Sequence, residues 1–267
     1  MMVIFLNTLA MLALCVIGVC LVISLNRFSP AGSKPYLIGA IAFIFFARVL
    51  EPVFLGVAGF ALPGQNVSIS KAVVGLIMAC LAAGLFEESG KYVCLKAKSV
   101  GGNLDLAWIA KFALGYALCE AILLGVIGHA QLLYFYYSPK SMMTLGLDSI
   151  SLDVMQNQVA SITEWTAVFL VVERIFAIIV QIALTFLGAF AVAKKQFALL
   201  MLAVLIHALI NIPAASYQYG FLELHHGEMI YALLLVAVLW VLRVKGASIL
   251  EFLEMQFTRV PSAEHRS

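Results

Sequence analysis

Two adjacent glutamates, Glu87 and Glu88, stand in an apolar run that closes with FEESGKY at residues 86–92. A charged side chain at the centre of a bilayer costs about 2.5–3.5 kcal/mol on insertion scales, so such residues face a protein interior and mark a site. Later apolar runs add Tyr116 and Glu120, then Gln181, then His207 and Asn211. Tyr116 and Glu120, like His207 and Asn211, are four residues apart and so share a helix face. A carboxylate and an imidazole together can activate water, and Asn or Gln donors can stabilise an oxyanion. That is the inventory for amide hydrolysis without a covalent intermediate. Rival chemistries lack their residues: there is no HExxH for zinc, Asp105, Asp148 and Asp153 fall in loops, and no GxSxG elbow occurs.

The elements that must position these groups follow from composition. The chain is 64% hydrophobic and only 11% charged, with a mean hydropathy of +1.06, far outside the range of soluble globular chains. It reads as a single integral-membrane domain over 1–267. The plasma membrane is the expected location. A net charge of +2 with scattered basic residues excludes nucleic acid as a partner. The five cysteines, none in CxxC spacing, imply neither a disulfide framework nor a zinc ribbon. Residues Met1–Leu25 have no basic leader region and no small-residue cleavage site, which predicts a retained spanning helix.

Apolar runs of about 20 residues, the length that crosses a bilayer, predict an all-α polytopic bundle of seven transmembrane helices. Their approximate bounds are 2–25, 36–60, 71–94, 106–137, 164–193, 197–217 and 228–244. Basic residues crowd alternate loops, with Arg27 and Lys34, then Lys91, Lys96 and Lys98, then Lys194 and Lys195, then Arg243, Lys245, Arg259 and Arg266. The positive-inside rule then predicts an outer N-terminus and a cytoplasmic C-terminus. Two segments look amphipathic: 147–162, with Asp148 and Asp153, as a cap, and 248–260, where Ile249, Leu250, Leu253, Phe257 and Val260 share a face, within a cytoplasmic tail over 246–267. Asn66-Val67-Ser68 matches a glycosylation acceptor but is too common by chance to decide anything.

Counting ~1.5 Å per residue from the basic end of each span puts Glu87 roughly 13 Å deep, Tyr116 and Glu120 roughly 16 and 22 Å, His207 roughly 18 Å and Gln181 roughly 20 Å. In lipid these groups must meet one another or line a wet cavity, which predicts a shared polar pocket. Arg48 with Glu51, just before Pro52, and Glu173 with Arg174 are expected to neutralise charge inside the bundle. His129 is expected at the membrane interface. Gln181 fits either interhelical hydrogen bonding or the pocket.

The segments FEESGKY (86–92), GYALCEAI (115–122), ERIFAIIVQIAL (173–184) and HALIN (207–211) resemble the YhfC family of glutamic-type intramembrane proteases, which is related to the CAAX prenyl proteases and to PrsW. The resemblance covers roughly residues 71–217, the expected catalytic core. It implies that Glu87 is the general base, that Glu88 supports the site, that His207 and Asn211 orient water and stabilise the oxyanion, and that Lys91 fills the basic position after the double glutamate. The superfamily's FxxxH motif is here Phe112-Ala-Leu-Gly-Tyr116, so tyrosine replaces histidine. A tyrosine donates a hydrogen bond but does not replace histidine as a neutral-pH base. Tyr116, Glu120 and Gln181 either complete a variant site or belong to a non-catalytic binding or scaffold protein of the same fold. A proton-coupled carrier ranks below both, since no inverted repeat is visible. The expected partners are the bilayer and a membrane-embedded or lipid-linked peptide or protein. No cofactor is called for, and the residues leave a divalent metal open.

Overall fold

The computed structural model describes residues 2–28, 32–60, 67–101, 104–142, 149–160 and 162–257. Every regular element among them is helical, and seven helices are long and apolar enough to cross a membrane. They are α1 (Met2–Phe28), α2 (Lys34–Val57), α3 (Ile69–Val100), α4 (Leu106–Tyr137), α6 (Glu164–Lys194), α7 (Phe197–Gln218) and α8 (Leu224–Phe257), of which His225–Lys245 is the spanning part. Of two shorter helices, a single turn at Pro139–Met142 follows α4, and α5 (Ser149–Ala160) lies inside the expected amphipathic stretch. It packs Leu152, Met155 and Val159 onto Leu132 and Phe135 at the end of α4. Asp148, like Asn66, lies outside the described residues.

Local chemistry sets several of these boundaries. The Asp105 carboxylate accepts from the Trp108 backbone N–H at 2.7 Å, capping α4. Thr163 and Thr166 exchange side-chain and backbone bonds at the start of α6, satisfying donors that a helix leaves unpaired. Lys195 ends α6 in the left-handed conformation, φ 54°. The last span was expected to stop before a separate surface helix at 248–260. Instead α8 runs unbroken to Phe257, because no proline interrupts 224–257. Residues 258–260 of that expected helix lie outside the described chain.

Helix α6 is the hub, in contact with α1, α3, α4, α7 and α8. Buried residues make up 56% and 50% of the apolar windows of α4 and α6, against 22% for α1, α2 and α3. The outer helices therefore give most of their surface to lipid, as Leu9, Leu12, Val16 and Val19 of α1 do. Lipid is as apolar as leucine, so close backbone approach rather than hydrophobic burial must select the helix pairs. At the α2–α4 crossing, a Cβ on Gly39 would lie 2.2 Å from the Phe112 carbonyl oxygen. At the α3–α7 crossing, a Cβ on Gly84 would lie 2.5 Å from the Val204 carbonyl oxygen.

Two spans carry a widened turn. In α2 the stretch Ile44–Leu50 is π-helical, and the Glu51 N–H reaches back five residues to Phe46 O. Pro52 explains it, since its ring displaces the Arg48 carbonyl four residues earlier. In α4 the stretch Ala121–Ile127 is π-helical, and Gly128 N–H reaches Leu123 O. Such turns recur at functional sites, and here they adjoin Glu51 and Glu120.

Candidate functional site

Gly84 lets α3 touch α7 between Val204 and Ala208, one turn along α3 from Glu87 and Glu88 and beside His207, so the carboxylates and the imidazole meet near this close contact. His207 Nδ1–H donates to Glu88 Oε1 at 2.6 Å. The opposite ring nitrogen, Nε2, lies 3.7 Å from Glu87 Oε1, too long for a direct hydrogen bond. His207, Glu87 and Glu88 are 4%, 7% and 1% exposed. One imidazole edge is thus locked by a carboxylate while the other faces a second carboxylate.

The rest of the constellation holds those carboxylates. Tyr116 O–H donates to Glu87 Oε2 at 3.2 Å, and Gln181 Nε2–H donates to the same oxygen at 2.9 Å. With both donors on Oε2, Oε1 is the oxygen turned to His207. Gln181 also donates to Glu120 Oε2 at 2.6 Å and accepts from Lys91 Nζ at 2.5 Å. Lys91, fully buried, bonds Glu88 Oε1 at 2.6 Å and stands 4.8 Å from the Tyr116 ring centre, within cation–π range. Gln181 is therefore both the interhelical bridge and part of the site, joining α3 to α4 through α6. Removing one partner of a buried pair such as Glu88–Lys91 typically costs about 3–5 kcal/mol, because the other charge is stranded.

A cavity of about 300 Å³ opens against this network. Glu87, Glu120, Gln181, His207 and Asn211 line it, while Glu88 and Tyr116 stand behind its wall and hold the residues in front. All seven expected site residues thus belong to one cluster, five at the cavity surface and two supporting them. The Asn211 amide makes no hydrogen bond among the described residues and faces the cavity one turn from His207.

Several expectations need correction. Arg48 and Glu51 make no direct ion pair among the described residues but still attract each other across the cavity that both line, the π-turn having changed their relative rotation. Arg174 pairs with Glu173 as expected, but its NH1 also reaches Glu120 Oε1 at 3.3 Å, so it crosses from α6 to α4. His129, expected near the membrane interface, is packed between helices, close to the starts of α1 and α6. Its Nε2–H donates to Asn7 Oδ1 at 2.7 Å, and Asn7 donates on to the Val3 and Thr163 carbonyls. Glu51 was missed as a lining residue: counting along the second span gives its depth, but the π-turn before it sets the direction in which it faces. Tyr231 of α8, which also lines the cavity, was missed too, and spacing along the chain carries no signal of which face of α8 turns inward.

Among the described residues, the group of His, Cys, Asp or Glu side chains with three ligand atoms within 4.8 Å of one another is Glu223, His225 and His226, exposed at the α7–α8 turn.

Residues 11–235 match the family described as YhfC intramembrane metalloprotease. Over 236 residues the chain is 30% identical to a Bacillus subtilis (strain 168) protein named "Uncharacterized membrane protein YhfC", an alignment covering 84% of this chain and 90% of the relative. No solved structure matches the chain.

Proposed function

This chain belongs to the YhfC family, and on that premise we propose that it is an intramembrane peptidase acting on a membrane-embedded or lipid-linked peptide at the Glu87–His207 pair. The observation that carries the reading is the two-sided use of His207, with Nδ1 held by Glu88 at 2.6 Å and Nε2 facing Glu87 at 3.7 Å inside a buried cavity. One water can bond both groups across that gap. Its oxygen adds to the scissile carbonyl carbon, its proton passes to Glu87 Oε1, and that proton then goes to the leaving amine as the C–N bond breaks. The Asn211 amide supplies a donor for the oxygen that becomes negative. Tyr116 O–H and Gln181 N–H aim the Glu87 carboxylate. Lys91 and Arg174 offset Glu88 and Glu120 and leave Glu87 for chemistry.

The family description names a metal-dependent class, and the donor set can be tested against it. Two ligands on one tetrahedral zinc lie about 3.3 Å apart when each bond is about 2.0 Å, close to the 3.7 Å between His207 Nε2 and Glu87 Oε1. A metal-ligating histidine usually gives its other N–H to a carboxylate, as His207 does to Glu88. Two ligands are in place: His207 and Glu87 would hold a divalent cation, but a catalytic zinc takes three protein ligands, and among the described residues no third His, Cys, Asp or Glu atom completes a group with this pair. Bound there, it would polarise a carbonyl and make water a stronger nucleophile.

The charge bias of the loops supports an orientation with the Lys96, Lys98, Lys194 and Lys195 end in the cytoplasm. The reading is tested by reconstituting the purified chain in liposomes and following cleavage of a hydrophobic peptide by mass spectrometry. Glu87→Gln and His207→Ala abolish cleavage while retaining the helical signal and melting transition. Undiminished cleavage in both variants removes the proposal, and a stable peptide complex without turnover in the wild type makes the chain a binding protein instead.

A further inference from the structure

Beside the catalytic cavity lies a larger chamber of about 750 Å³, within the range of ligand sites, about 300–1,000 Å³. It runs toward the membrane face opposite the basic loops, between the ends of α4 and α7 and the starts of α6 and α8, with α5 beside it. Arg48, Glu173, Arg174, Gln218 and Tyr231 line both spaces, so the chamber adjoins the Glu87–His207 cavity along a shared wall.

Two of the residues lining the chamber, Arg174 on the shared wall and Glu228 away from it, each carry an unpaired atom. Arg174 Nε and Glu228 Oε2 are buried without a hydrogen-bond partner among the described residues, on side chains only 8% and 6% exposed. A buried polar group left unpaired costs about 1–3 kcal/mol, and more when it is charged. One is a donor and the other an acceptor, in a chamber that adjoins the site of hydrolysis. The pair is the complement of a peptide unit, which offers one carbonyl and one N–H. A peptide bond can be hydrolysed only where its helix has opened, and in a membrane an opened segment must find protein partners for its main chain.

We infer that this chamber holds an unwound stretch of the substrate polypeptide, with Arg174 Nε–H donating to a main-chain carbonyl and the Glu228 carboxylate accepting from a main-chain N–H. This rests on the peptidase reading of the adjoining cavity and adds where the chain runs beyond the cut. The charged lining residues are Arg48 and Arg174 against Glu173 and Glu228. Their formal charges cancel, which suits an uncharged main chain better than the phosphate of a lipid headgroup. Glu228 and Arg174 are positioning residues, since neither touches the reacting atoms.

The test uses the full chain carrying Glu87→Gln, reconstituted in nanodiscs, so that binding is read without turnover. Two fluorescent synthetic peptides of about 20 residues serve as probes, one an uninterrupted Leu-Ala helix and the other identical except for a central Gly-Pro pair that opens it. The opened peptide is expected to bind at least about tenfold more tightly. Glu228→Met, which removes the acceptor at similar volume, is expected to weaken that binding about tenfold or more and to leave the helical peptide unaffected. A photoreactive residue replacing Phe169 in the chamber wall provides a second measurement that does not depend on how Glu228→Met folds; it crosslinks the opened peptide selectively. Equal binding of the two probes, unchanged binding in Glu228→Met, or a retained phospholipid that depends on Glu228 and resists competition by the peptide overturns the inference. A wild-type chain that binds the opened peptide but never cuts it refutes the peptidase reading and leaves the chamber. A wild-type chain that cuts it with a KM indifferent to Glu228→Met does the reverse.

Discussion

Alanine at Gly84 adds one methyl group where α3 and α7 cross, and its effect on the reaction can be worked from distances. The new Cβ would lie 2.5 Å from the Val204 carbonyl oxygen and 3.2 Å from the Ala208 nitrogen, whereas ordinary contact begins at 3.4 Å. Both neighbours are helix backbone, which cannot rotate away, so the helices must part by the difference, about 0.9 Å. Glu87 lies one turn along α3 from the clash, and His207 lies beside it on α7, between Val204 and Ala208. The same displacement stretches the His207–Glu88 bond from 2.6 Å to about 3.5 Å and the His207–Glu87 separation from 3.7 Å to about 4.6 Å. Misplacement of about 1 Å costs about 100-fold in rate, and overpacking costs about 1–3 kcal/mol in stability. The assay is the initial rate of peptide cleavage in liposomes, normalised to folded protein. Gly188→Ala is the control, since its Cβ would meet only Leu95 Cδ1 at an ordinary 3.7 Å, and its rate is expected within about twofold of wild type. A Gly84→Ala rate equal to wild type, or an equal loss in Gly188→Ala, refutes the claim that this helix contact sets the catalytic geometry.

Other substitutions probe the remaining parts of the network. Tyr116→Phe deletes the 3.2 Å hydrogen bond to Glu87 but leaves the one from Gln181, so kcat is expected to fall about tenfold with KM unchanged; steady-state kinetics on the opened peptide decide it. Lys91→Met strands the buried Glu88 and is expected to cost about 3–5 kcal/mol by denaturant titration, most of it regained in the Lys91→Met, Glu88→Leu double variant. Zinc retained through gel filtration, measured by elemental analysis, is expected to drop at least tenfold in His207→Ala and in Glu87→Gln and to be unchanged in Glu223→Ala. Retention unchanged by all three removes the metal from the Glu87–His207 pair.

Much of this architecture was legible from one-dimensional rules. Hydropathy found the seven spans because each must hide its backbone hydrogen bonds inside a single apolar helix of bilayer length. Counting residues from the basic ends placed Glu87, Tyr116, Glu120, Gln181 and His207 at similar depth, and five of the seven expected residues do line one cavity. The rule failed where rotation about a helix axis mattered. The π-turn before Pro52 brought Arg48 and Glu51 to the wall, and the inward face of α8 brought Glu228. Neither is encoded in a spacing, because a wider turn shifts every later side chain around the axis without shifting its number. The tail helix failed for a different reason. Charge marks where a span leaves the membrane, but only proline or a similar break stops the helix itself.

What the amino-acid order determined alone was therefore depth: which groups are too polar for lipid, how far along each span they sit, and that they must find partners within the bundle. What tertiary structure decided was azimuth and partnership. It chose Glu88 for one imidazole nitrogen and Glu87 for the other, gave Lys91 and Gln181 the task of tying α3 to α6, and left Arg174 Nε and Glu228 Oε2 facing a chamber unpaired. The physical reason is that burial energy in a membrane depends on height in the bilayer, which sequence distance measures. Hydrogen bonds depend on which helix faces meet, and that is set by close contacts such as Gly84 against Val204.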